Sequence, residues 1–464
     1  MLIAIKGNDM SICQKIQDLE IDTQDIWKDD ILNRKEVAED FTRILADVEQ
    51  PFVVSVDASY GMGKSFFLSR WREQLKKDGY QVAFFNAWNT DWEKDPMVPF
   101  IKTIIDSFPE SIGTILKEKS IGLLKSIKNC GNLIIECVGG PESTLDKLLQ
   151  IVNPDNKIEQ YEAKQKLIND FRNTLCEKIK DNKLFMFVDE LERCRPTYAV
   201  EVLETIKHIF DIPNVIFILG IDRTQLKHTI SALYGSDMDS EGYLKRFVDL
   251  ELHLPKPNRK AFCKVLMNKF GIKNQKAYDA NSIINGWNCY CDYFSILADG
   301  YNLSLREISQ CFTDIAIIQK VVPDNYIKMS PILALLMVLK HKEYSIYQNI
   351  ERISFYDLWK ELEKIVNAND QNIKCLKHCL MMAMIPFNDL CKKINELKEK
   401  NTQLNIEKQT NPNAPITQDE ILKELTDYHK VYQLHDDLDS RFGIDAQRII
   451  PYLKQKMEYL SNDE

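Results

Sequence analysis

No stretch of this sequence is apolar for long enough to cross a bilayer. The two longest candidates, PILALLMVLK at 331–340 and CLMMAMIPF at 379–387, fall well short of the ~20 residues a spanning helix needs. The opening residues MLIAIKGNDMSI carry no long apolar run and no cleavage-like site, so no secretory leader is expected. A basic excess is missing as well. Sixty Lys and Arg stand against 69 Asp and Glu, a net charge of -9, which argues against a protein whose main task is coating nucleic acid. An acidic average can still hide a basic channel. Twelve cysteines form no C-x-x-C pair and lie scattered in apolar stretches, so they read as reduced, buried thiols rather than a disulfide framework. Cys375, His378 and Cys379 share a helical face but have no second ligand pair nearby, which favours helix core over zinc. The seven histidines are dispersed and none is assigned to catalysis. No internal repeat is present. These exclusions leave a cytoplasmic chain with no membrane partner.

What remains is 464 residues at 44% hydrophobic and 28% charged, ordinary globular composition with ample material for a core. Five short apolar runs end at polar or small residues: PFVVSVDA (51–58), QVAFFNAW (81–88), KLFMFVDE (183–190), NVIFILGID (214–222) and FVDLELHL (247–254). Continuous runs of this kind suit strands buried on both faces of a parallel sheet. Helical patterns lie between them, at Ser65–Lys77 and Pro196–Phe210, with apolar residues on one face. Strand and helix in alternation predict an α/β doubly wound domain. The expected organisation is an N-terminal arm (1–28), an α/β core (29–256) with a helical insertion (109–165), a helical lid (257–322) and an all-α C-terminal region (323–464). Boundaries are expected at Pro255–Pro257 and Val322–Asp324. The polar run at 400–415 is expected to be a loop or hinge. The C-terminal stripes Phe355, Trp359, Leu362 and Leu380, Met381, Ile385 read as bundle core.

The stretch VDASYGMGKSFF (56–67) almost spells the phosphate-binding pattern G-x-x-x-x-G-K-[ST], with Ala58 where the first glycine belongs. A phosphate loop needs a buried strand, a tight glycine turn, a lysine, a hydroxyl and then a helix N-terminus, whose amides and dipole cradle the anion. Here Ser59, Tyr60, Gly61, Met62 and Gly63 form the turn. Lys64 is placed to reach phosphate oxygens, Ser65 to ligate Mg²⁺, and Phe66 to open the helix. Ala58 is tolerable there unless its φ is positive. The strand KLFMFVDE then delivers Asp189 as a metal-binding carboxylate and Glu190 as a candidate general base. Together, in this order, the two elements predict an α/β P-loop NTPase fold with a five-stranded parallel sheet.

Further candidates follow. Asp222 ends the run ILGID and either orients water or caps the helix after it. Arg193 and Arg195 structure their loop, touch a neighbouring subunit or simply face solvent. Arg246, with Lys245 second, precedes the fifth strand and either reaches a neighbour's nucleotide as an arginine finger or is a surface basic residue with no partner. Arg34 either approaches the base or pairs with Glu36.

These blocks resemble the KAP family of P-loop NTPases, relatives of the AAA+ and STAND groups. DILNR (30–34), the phosphate loop, FFNAW (84–88), DPM (95–97), the segment from VDELERCRP to GIDRTQL, YLKRFVDLELHLPKP and LSLREISQCF (303–312) carry the likeness. The resemblance implies ATP as nucleotide, Mg²⁺ as cofactor, homo-oligomeric assembly and a helical lid in which Arg306 stands at the sensor-2 position. It also implies a central phosphate-loop strand, with one further strand between it and the strand bearing the acidic pair. Bacterial members are associated with phage exclusion, which implies a partner protein in a defence operon. Membrane helices frequent in the family do not carry over, since 121–138 holds Lys125, Lys128 and Glu136. The acidic pair is Asp-Glu, not Asp-Asp, and the later acid is Glu192, which favours hydrolysis. Three functions are therefore carried: a Mg²⁺-dependent ATPase driving assembly or an effector switch, a nucleotide-gated scaffold with little turnover, and a DNA-remodelling ATPase.

Overall fold

The computed structural model describes residues 21–28, 30–125, 157–180, 182–272, 290–321, 330–410, 418–442 and 445–458. The chain divides into two units, the first ending at Lys256 and the second beginning at Pro257. The second expected boundary, at 322–324, falls on residues outside this set.

In the first unit the five apolar runs form five strands: β1 Phe52–Asp57, β2 Gln81–Asn86, β3 Leu184–Asp189, β4 Val215–Ile221 and β5 Leu250–His253. All neighbouring pairs are parallel, in the order β2-β3-β4-β1-β5. The extra strand between β1 and β3 is β4, as the resemblance implied. The central position belongs to β4, however, and β1 is interior, one place from the edge. β3 and β4 are buried along their whole length, which explains why their sequences lack polar alternation.

The pleat sends alternate residues into two separate cores. Phe185, Phe187, Ile216, Ile218, Val54 and Val56 face the layer made by helices Arg34–Ala46 and Lys64–Lys77. There Trp71 is fully buried, packs edge-on to Phe187 at 5.4 Å and donates its indole N–H to Thr42 Oγ1 at 2.8 Å. Met186, Val188, Phe217 and Leu219 face the opposite layer, with helices Met97–Ser107, Glu110–Lys125, Lys157–Ile179 and Pro196–Ile209. The described parts of the expected insertion thus contribute Leu116, Leu123 and Leu124 to the main core. Residues 126–156, including part of the 121–138 stretch, lie outside the described set.

Among its described residues, every secondary-structure element of the second unit is a helix. Arg259 is buried and ties three groups together, donating to Leu303 O (2.7 Å), Asp299 Oδ1 (2.9 Å) and Asn302 Oδ1 (2.7 Å). The expected stripes Phe355, Trp359, Leu362, Leu380, Met381 and Ile385 are buried. Cys379 is buried on the same helix, and His378 bonds to Asp427 at 2.9 Å. One reading needs correction: 400–410 is not a loop but the end of helix Phe387–Thr410. This stretch has no glycine or proline to break it before Pro412, and Asn and Thr cost a helix under ~1 kcal/mol each. Earlier turns of that helix bury Leu390, Ile394 and Leu397, which anchor it. Among the described residues no helix is long and apolar enough to cross a membrane.

Candidate functional site

Parallel strands bring their carboxyl ends to one edge of the sheet, and the candidate residues gather there. Val56, Gly220, Asp189 and Asn86 form one row across β1, β4, β3 and β2. The phosphate loop leaves β1 immediately beyond this row. Gly61 (φ 78°) and Gly63 (φ 87°) take left-handed conformations that suit residues without Cβ. Ala58 is not among the positive-φ residues. Its methyl therefore replaces the missing first glycine without backbone strain, and Ala58 N still continues the strand pairing to Ile221 O at 3.2 Å.

Helix Lys64–Lys77 starts at Gly63 with no side-chain cap. Its first N–H groups and the positive end of its dipole are therefore available to an anion. Ser59, Tyr60 and Ser65 are exposed, and Gly61, Met62, Gly63 and Phe66 are half-buried. The Arg70 guanidinium lies 3.7 Å over the Phe66 ring.

Lys64 is 8% exposed and its ammonium donates to Glu192 Oε1 at 2.7 Å. The other oxygen of Glu192, Oε2, is buried without a hydrogen-bond partner. Asp189 is 4% exposed and accepts the Glu190 N–H at 2.9 Å. Burial pushes its pKa up to about 6; Lys64 pulls it down, while Glu192 and Glu190 push it further up. A cation beside Asp189 would relieve that burial cost. The residues fit a polyphosphate with a divalent ion, which the Ser65 hydroxyl and the Asp189 carboxylate would hold.

Glu190 has φ 63°, a left-handed conformation rare outside glycine and often found at functional sites. Both of its oxygens are occupied. Asn86 Nδ2 donates to Oε2 at 3.2 Å, and Arg193 Nη2 lies 3.1 Å from Oε1. The same guanidinium sits 5.2 Å from the Tyr60 ring and 5.3 Å from the Trp88 ring. Arg195 structures the neighbouring loop by bonding Asp91 and the Glu93 carbonyl.

Asp222 plays the capping role. Oδ1 accepts Gln225 N at 3.2 Å and Oδ2 accepts Tyr60 N at 3.0 Å, so it braces the phosphate loop against the next helix rather than standing ready to orient water. Arg34 is 1% exposed, with Nε and Nη2 lacking partners. Burial lowers its pKa and its charged neighbour is Asp30, not the expected Glu36. Arg246 is exposed in the turn before β5, and that strand enters beside the start of β1, where Asp249 N donates to Val53 O at 2.8 Å. No side-chain contact joins Arg246 to the phosphate loop of its own chain among the described residues. Arg306 belongs to the second unit, as the second residue of helix Leu305–Val321, whose start is closed by a reciprocal Ser304–Glu307 capping box.

The sequence reading missed Asn86, the Lys64 partner role of Glu192, and Gly220. A Cβ at Gly220 would overlap Leu68 Cδ1 and come within 3.1 Å of Asp189 Oδ1. The available signal was a polar residue directly after each apolar strand, present in FFNAW and DELER but not tied to a contact.

Fold and site define an α/β P-loop protein built to hold a nucleotide's phosphates at the carboxyl edge of its sheet. The chain belongs to the KAP family: the model of the KAP family P-loop domain matches residues 34–322. A curated relative, the phage T7 exclusion protein of Escherichia coli (strain K12), is 29% identical over 77 residues, covering 17% of this chain and a tenth of that protein. Among solved structures, the Aeropyrum pernix ORC2 protein in its ADP form aligns at 11% identity and a TM-score of 0.32, covering 93% of this chain and 94% of that one. AMPPCP-bound DnaA from Aquifex aeolicus aligns at 14% identity and a TM-score of 0.28, covering 92% of each chain. At such scores the two alignments add nothing to the family assignment.

Proposed function

We propose that this chain is a Mg²⁺-dependent ATPase whose nucleotide state drives assembly or switches an effector. The observation that supports it is the convergence of an uncapped helix N-terminus, Lys64, Ser65 and buried Asp189 on one sheet edge. Mg²⁺ held by Ser65 and Asp189 would neutralise charge on the phosphate oxygens. Lys64 would exchange Glu192 for phosphate, and Glu190 would polarise the attacking water once released from Arg193. Exposed Arg246 would serve a second copy of the chain, a contribution of about 10³–10⁵ in turnover where such fingers operate. The family membership and the short match to a phage exclusion protein support a role in defence against phage, with a partner protein in that system. Lys64→Ala should abolish nucleotide binding, while Glu190→Gln should bind ATP and hydrolyse it poorly. Wild-type turnover by Lys64→Ala would end this reading.

A second reading is a nucleotide-gated scaffold with negligible turnover. It is favoured by the double restraint on Glu190, which leaves the candidate base engaged on both oxygens. Turnover measured against protein concentration separates the two. An enzyme with a finger in trans gains specific activity as subunits associate, whereas a scaffold stays near zero.

A further inference from the structure

Three carboxylates, Asp189, Glu190 and Glu192, stand within five residues of chain beside the phosphate loop, and their partners differ. Glu190 has Asn86 and Arg193. Asp189 has the backbone N–H of Glu190. Glu192 has Lys64 at 2.7 Å, and both side chains of that pair are about nine-tenths buried (10% exposed each). Its second oxygen is buried with nothing to accept from.

A buried pair of this kind is strongly asymmetric. Taking one partner away leaves the other as an uncompensated charge, a much larger loss than the net worth of the pair itself. Lys64 is the side chain the proposed function assigns to phosphate. When it turns to an incoming polyphosphate, Glu192 is left as a buried anion next to more negative charge.

We propose that Glu192 is a specificity-determining residue of the phosphate site. It holds Lys64 in the nucleotide-free state and so penalises any anion that arrives without its own cation. Free ATP, free ADP and inorganic phosphate are all disfavoured, because each must break the Lys64–Glu192 pair and supplies nothing to offset the stranded carboxylate. A nucleotide carrying a divalent ion brings compensating charge into the same volume. The device makes nucleotide capture depend on the metal complex more steeply than a bare lysine would. It rests on the phosphate-site reading above and extends it to ligand selection.

The test is equilibrium binding of a fluorescent adenine nucleotide to the full chain, in excess Mg²⁺ and again in excess EDTA. Wild type, Glu192→Gln and Glu192→Asp are compared, with melting curves to verify folding. Gln removes the charge at nearly constant shape; Asp keeps the charge but shortens its reach to Lys64. Glu192→Gln should tighten binding in EDTA by about tenfold or more and change binding in Mg²⁺ much less, given the cost of stranding a buried charge. Glu192→Asp should fall between the two. If wild type binds the Mg²⁺ complex but neither variant gains affinity in EDTA, the role of Glu192 is wrong and the phosphate site stands. If no protein binds nucleotide under either condition, both ideas fall together.

Discussion

Asn86 and Glu190 meet across the ends of β2 and β3, amide to carboxylate at 3.2 Å, while Arg193 holds the other carboxylate oxygen at 3.1 Å. A base whose two oxygens are both engaged has to break a charge-assisted bond before it can accept a proton from water. Arg193→Ala removes the stronger of the two restraints. It should raise basal ATP turnover by about tenfold or more, the order of one hydrogen bond to a charged group. Steady-state phosphate release at saturating Mg²⁺-ATP measures it, and an unchanged or lower rate would mean that Arg193 orients Glu190 productively.

Asp189 makes stability depend on pH in the direction opposite to a salt-bridged acid. Its ordinary pKa is 3.8 and burial raises it to about 6 in the folded chain. Between those values the folded state keeps a proton that the unfolded state has released. Stability therefore falls as pH rises through this window, and above it the buried charge costs roughly 3 kcal/mol. Asp189→Asn should raise the Tm of the nucleotide-free protein at about pH 8, and the gain should shrink as pH falls from about 6 and vanish only below about pH 4, where both states carry the proton. The same variant should lose the Mg²⁺-dependent part of nucleotide affinity. In wild type that part should weaken below about pH 6, because a proton competes with the metal. Equal melting temperatures at high pH would refute the assignment of burial as the dominant cause.

Gly220 is needed because Leu68 and Asp189 crowd the space above it, not for its backbone freedom. Gly220→Ala should destabilise the protein by about 1–3 kcal/mol, since the neighbours on both sides must move. It should also weaken nucleotide binding by displacing Asp189, whereas an overpacked site remote from the ligand would lower only Tm. Thermal melts paired with nucleotide titration distinguish these outcomes.

Asp222 ties the phosphate loop to the helix that follows β4 through Tyr60 N and Gln225 N. Asp222→Ala removes a helix cap worth about 1 kcal/mol and loosens the loop. The expected result is a modest fall in Tm with a larger proportional loss of nucleotide affinity. Asp222→Asn keeps one acceptor oxygen and sets its amide N–H2 against the other backbone donor, so it should restore the cap or the loop contact but not both. If Asp222→Ala binds nucleotide normally, the brace has no part in shaping the site.

Much of the first unit was legible because a strand covered on both faces has to be apolar along its length, and β3 and β4 are covered in that way. The phosphate loop was legible for a related reason. Gly61 and Gly63 stand where the backbone turns left-handed, so residue type and conformation are locally linked. The loop or hinge expected at 400–415 is helix over 400–410, because polarity alone does not mark a loop, and 411–415 lie outside the described residues. A helix anchored by Leu390, Ile394 and Leu397 continues through polar residues as far as Thr410. The central placement of β1 failed because strand order across a sheet is not written in any one segment.

Local chemistry alone specified the strands, the glycine turn, the lysine and the acids that follow β3, since each depends on neighbours a few positions away. Which acid receives the lysine was decided by the tertiary structure. Lys64 and Glu192 are 128 positions apart, Asn86 and Glu190 are 104 apart, and Tyr60 and Asp222 are 162 apart. Those pairs exist because β2 pairs with β3 and β4 lies between β3 and β1, which aligns the strand ends at one edge of the sheet and so determines which side chains share the buried space.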